Sequence, residues 1–215
     1  MKEVDGDEAT NNRAVTNTKR CRAPRKAKNM KNELYYSNTN GTLFIAEEGL
    51  QTADTIALCN ENLFNEAFDK LYTGKKATKK VLRKHYYMAL KGFVERGYSV
   101  TIKNIGYDSS EPKTIAACDL TEGDQYNEIF HGNYVLEYKE KFILGSIIHE
   151  LAHAVVDKQF HYDYDTLISI DAHCLGFQNI VKDVQSIYGL TGHEAAYIDA
   201  SKYKKIQHSN KKKHK

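Results

Sequence analysis

The stretch GSIIHELAHAVV, residues 145–156, constrains this chain more than any other. From about 140 to 158 the apolar residues recur with helical spacing. Leu144, Ile147, Ile148, Leu151 and Val155 fall on one face, so the expectation is an amphipathic helix. Into that helix the sequence sets His149, Glu150 and His153. Side chains four residues apart on a helix lie one turn apart on a shared stripe. Two imidazoles so placed converge on one tetrahedral ion.

The run His149-Glu150-Leu151-Ala152-His153 is HExxH, a zinc metallopeptidase signature. The chemistry needs these residue types. Zinc takes neutral imidazoles, brings the pKa of water toward ~7 and polarises a carbonyl. A carboxylate alongside accepts the proton from water and passes it to the leaving amine. Glu150 is placed for that role without being a ligand. The competing account is two core or surface histidines and an incidental glutamate.

A catalytic zinc site has a third protein ligand and one open position. His173, twenty residues after His153, opens a helical segment containing Phe177, Ile180, Val181 and Val184. Asp171, His161 and Glu194 are the alternatives, and Asp171 is equally suited to capping that helix. A metzincin would place its third histidine at position 159, which is Gln159. Tyr162, Tyr164, Tyr188 and Tyr197 are the tyrosines close enough in sequence to support an oxyanion. Cys174 reads as a small hydrophobe beside the proposed ligand, with a zinc contact as the alternative.

The rest of the chain supplies the frame. GTLFIA (41–46) reads as a short strand. Leu63, Phe64, Ala67, Phe68 and Leu71 form a helical stripe, and a second helix runs from about Lys79 to Glu95, ended by Gly97. YSVTIKNI (98–105), TIAACDL (114–120) and YVLEY (134–138) read as strands. Helical segments follow at about 168–188 and 192–203. The order is α+β rather than alternating βα units. The expectation is a small antiparallel or mixed sheet packed on the HExxH helix and further helices. NYVLEY, just before that helix, is the candidate edge for a substrate added as an extra strand, with an ordinary core strand as the alternative.

Charge divides the chain. Residues 13–31 carry eight Lys and Arg, residues 202–215 seven, and neither stretch has an acid. The organisation expected is a basic disordered tail (1–33), a folded and acidic body (34–201) and a Lys-rich tail (202–215). Basic arms hold nucleic acid by neutralising phosphates, or simply stay solvated or serve as a nuclear address. No apolar run nears the ~20 residues that span a bilayer, and the first residues, Met-Lys-Glu-Val-Asp, lack a signal-peptide core. Four cysteines without CxxC spacing suit a reducing compartment. The expectation is an intracellular protein, in cytoplasm or nucleus. Abundant Lys, Asn and Tyr with no Trp hint at a phage or viral genome.

HELAHAVV followed by AHCLGF resembles the SprT-like zinc peptidases, whose pattern is HExxH, then a histidine opening the next helix, then an aromatic four residues on. Here those are His173 and Phe177. LFNEAFDKLYTGKK (63–76) is similar to the family's opening helix. WLM peptidases share a weaker likeness. The similarity covers about residues 60–190 and implies a zincin-like domain. It further implies a Zn2+ held by His149, His153 and His173, with Glu150 catalytic. The implied substrates are protein or peptide, including proteins bound to DNA. Two other functions fit the same residues: a non-catalytic nucleic-acid-binding protein stapled by zinc, and a zincin whose target is unrelated to DNA.

Overall fold

The structure is a computed structural model and describes residues 31–58, 60–106, 116–120, 127–160 and 175–190. One six-stranded mixed sheet is covered by helices. The strands are β1 (Asn32–Ser37), β2 (Thr42–Glu47), β3 (Thr55–Ala57), β4 (Thr101–Gly106), β5 (Ala116–Leu120) and β6 (Asn127–His131), in spatial order β3-β1-β2-β4-β6-β5. The helices are α1 (Glu61–Leu71), α2 (Lys76–Glu95), α3 (Glu140–Phe160) and α4 (Leu175–Ile187). The layout is α+β, as expected. Its order, however, opens on three strands, of which only β2 was anticipated. β1 begins at Asn32, inside the stretch assigned to the tail.

β1 and β2 form a hairpin pairing Asn32 with Glu47 through Ser37 with Thr42. Gly41, at φ +64, makes the turn, a conformation that costs other residues a Cβ clash. β4 joins β2 antiparallel and runs parallel to β6, while β5 closes the sheet antiparallel to β6. Among the described strands β5 therefore lies at an edge.

α1 starts where the Asn60 side chain accepts a hydrogen bond from the Leu63 N–H at 3.0 Å. It buries Phe64, Ala67, Phe68 and Leu71, the stripe read from sequence. α2 begins three residues before the expected start. Its N-cap, Lys75, has no side-chain cap; instead the hydroxyls of Tyr72 and Thr78 both donate to the Lys75 carbonyl, at 2.9 Å each. Gly92 lets α2 approach α4 closely: a Cβ there would meet Val184 and Tyr188 at 3.0–3.1 Å.

Two expectations are corrected. Residues 133–137 form a 3-10 helix, not an edge strand. Val135 and Tyr138 are both buried, and a separation of three matches the three-residue turn of that helix. The apparent alternation in NYVLEY was half of this pattern. α3, expected to be amphipathic, is enclosed: Phe142, Ile143, Leu144, Ile147, Ile148, Leu151, Ala152, Ala154 and Val155 are all buried. A helix apolar on nearly every side belongs in the centre of a domain. No helix among the described residues is long and apolar enough to cross a membrane.

Candidate metal centre

The enclosed helix places His149, Glu150 and His153 with little freedom. His149 and His153 are half-buried, and their Nε2 atoms stand 3.2 Å apart. Two nitrogens bound to zinc at about 2.0–2.1 Å on neighbouring tetrahedral vertices lie about 3.3–3.4 Å apart. The two imidazoles are thus already at the separation of one tetrahedral edge. Without an ion the same approach allows an N–H···N hydrogen bond. Both the spacing and the donor type fit zinc.

Phe177, on α4 and fully buried, holds both rings. It stacks on His153 at 4.4 Å between centroids and 28° between planes, and meets His149 edge to face at 4.9 Å and 77°. The sequence marked Phe177 as a motif position; its packing against both imidazoles emerges only in the folded chain.

Glu150 points away from water, with 8% of its surface exposed. Burial pushes its carboxyl up to about 7, and the backbone N–H of Cys118, which donates to it, pulls partly back. A carboxyl poised near neutrality suits proton transfer. Cys118 lies on β5, so half of the strand's N–H groups face away from β6, and one of them serves Glu150.

Beneath Glu150 lies a polar pair that sequence reading missed. Tyr86 of α2 and His131 of β6 share a hydrogen bond at 2.7 Å, both buried. Burial lowers the His131 pKa to about 3, and among the described residues its Nδ1 has no hydrogen-bond partner. Burial first, and then the nearby Glu150 carboxylate, hold the Tyr86 phenol well above its ordinary value. No motif marks either residue; a lone histidine in a short strand carries no sequence signal.

Of the third-ligand candidates, His173, Asp171, His161 and Glu194 all lie outside the described residues, as do Cys174, Tyr162, Tyr164 and Tyr197. Among the described residues no three His, Cys, Asp or Glu gather into a metal-holding group. Tyr188 is not at the site: its hydroxyl donates to the Met88 carbonyl, between α4 and α2. The cysteine among the described residues is Cys118, half-buried on β5. No protein-family model, curated protein or solved structure matches the chain.

Proposed function

We propose that this chain is a zinc-dependent endopeptidase of SprT-like type. The observation that carries it is the 3.2 Å approach of the His149 and His153 Nε2 atoms, with the Glu150 carboxyl on the intervening turn of the same helix. His149 and His153, with His173 as the third ligand implied by the resemblance, would hold the ion. A zinc ion held there supplies a Lewis acid for the scissile carbonyl and acidifies water.

The chain's own residues do the rest. Glu150 receives a proton and returns it to the leaving amine. Its burial keeps it basic enough to take the proton near neutral pH, and the Cys118 N–H keeps the carboxylate form accessible. Phe177 fixes the imidazole planes. β5 replaces NYVLEY as the strand to which a substrate main chain adds, because it is the sheet edge in contact with α3 and Glu150. Proteins associated with DNA are the substrate class that the resemblance and the basic tails support.

The test pairs zinc content with cleavage of a fluorogenic protein substrate. Glu150→Gln should keep zinc and lose about 10²–10⁴-fold in kcat. A Gln variant as active as its parent, or a folded, active chain indifferent to chelators, would sink the reading.

A further inference from the structure

Between residues 71 and 94 the chain carries seven Lys and Arg and no acid. The body as a whole is acidic, so this run is unusual in it. The run is mostly α2, whose first half places Lys76, Lys79, Lys80, Arg83 and Lys84 at spacings of three and four. Residues so spaced share one helix face. Lys76, Lys80 and Lys84 are exposed, and Lys79 and Arg83 are half-buried.

The arrangement works against the helix. An N-terminus carries partial positive charge and favours acids; α2 has none in its first turn and begins with lysine. Like charges at i and i+4, as in Lys76 and Lys80 or Lys80 and Lys84, repel. Two acids from other elements offset part of this: Asp69 pairs with Lys79 at 2.9 Å and Arg83 at 3.3 Å, and Glu140 with Lys84 at 3.0 Å. Among the described residues no ion pair reaches Lys76 or Lys80. Five cations against two acids leave a surplus at the positive end of a helix.

We infer that this face of α2 is a binding surface for a nucleic-acid phosphate backbone. Cations on successive turns, about 6 Å apart along the axis, run beside a polyanion with charges every few ångströms. A lipid surface fits less well. An interfacial helix inserts its apolar face, but that of α2 (Leu82, Tyr86, Ala89, Leu90, Phe93) is buried in the core. The large exposed hydrophobics among the described residues, Leu50, Ile56 and Leu175, lie outside α2. The surface stands on charge alone and is independent of the zinc reading.

The experiment uses the full chain with Glu150→Gln, so that hydrolysis plays no part. Affinity for a labelled random-sequence DNA duplex is measured from 50 to 300 mM salt for this parent, for Lys76→Gln/Lys80→Gln, and for Lys182→Gln as a control at an exposed position of α4. Each lost phosphate contact lowers the slope of log affinity against log salt by about 0.9. The double variant should lose about two in slope, the control nothing, and the double variant should melt no lower than the parent because lysines leave a helix N-terminus. A slope unchanged in the double variant overturns the inference. So does an equal or greater loss on phosphatidylserine vesicles, which would assign the face to a membrane.

Discussion

The Glu150 carboxylate on the enclosed helix accepts a hydrogen bond from the backbone N–H of Cys118 on the sheet's edge strand. One main-chain donor thus ties the proposed base to the strand on which substrate would lie. Cys118→Pro removes that donor and keeps the strand, since proline is tolerated on an edge. The carboxylate form loses stabilisation, so its pKa rises. As the proposed role needs Glu150 deprotonated, the acid limb of kcat/KM should move up by about one to two pH units, a hydrogen bond to a charged group being worth about 1.5–3 kcal/mol. Cys118→Ala should leave the profile in place. A pH–rate profile that does not distinguish the two variants would show that this hydrogen bond does not tune the base.

Phe177 contacts both imidazoles, so its loss should register in metal binding as well as in stability. Phe177→Ala should cost about 3–5 kcal/mol of folding free energy, the usual result for a buried phenylalanine. Phe177→Leu keeps most of the volume but loses the flat ring. It should weaken zinc binding about tenfold or more, as expected when a group orienting a ligand is removed. Competition with a chromogenic chelator measures this directly. If Phe177→Leu binds zinc like the parent, the ring is core filling only.

The legible parts of this fold were those with local causes. The His149–His153 spacing is one helical turn wherever it occurs, so the pair was readable without neighbours. α1 announced itself through its apolar stripe, and α2 through Gly97, which ends it at φ +72. The strands β1, β3 and β6 were missed because what makes them strands is pairing. NELYYS has no clean alternation; it is extended because LFIA of β2 lies across from it. The Tyr86–His131 bond joins residues 45 positions apart, and the stacking of Phe177 on His153 bridges two helices. The basic face of α2 was in the sequence, but a net-charge sum over the body concealed it.

His131 should govern acid stability. Its folded pKa is depressed to about 3 from an ordinary 6.5 by burial. A group with a depressed pKa stabilises the fold above its unfolded value, and that contribution fades as pH falls from about 6.5 through 3. His131→Leu should therefore flatten the loss of stability over that window. At neutral pH it should cost about 1–3 kcal/mol, because the Tyr86 hydroxyl is left buried without a partner. Adding Tyr86→Phe should recover part of that cost. Urea melts at pH 4, 5.5 and 7 on the three proteins read both effects. A His131→Leu variant as acid-sensitive as the parent would place the acid response elsewhere.

The ligand set gives the sharpest separation of outcomes. In the proposed site His149 and His153 would take two vertices of a tetrahedron and substrate would need a third, so one protein ligand would remain to be assigned. A ligand that binds only the folded chain stabilises it by about 2.7 kcal/mol at a hundred times its dissociation constant. The parent should therefore melt at lower temperature after treatment with a strong chelator, and zinc should restore it. His173→Ala should start near the metal-free melting temperature, show little response to chelator and carry far less than one zinc per chain after dialysis. Asp171→Ala, His161→Ala and Glu194→Ala should retain the metal and the response. If instead Glu194→Ala loses its zinc while His173→Ala keeps it, the site is of a His-His-Glu type and the likeness drawn from AHCLGF fails. In that outcome Glu150 and its Cys118 hydrogen bond keep the role proposed for them, because both are defined on α3 and β5 rather than by the third ligand.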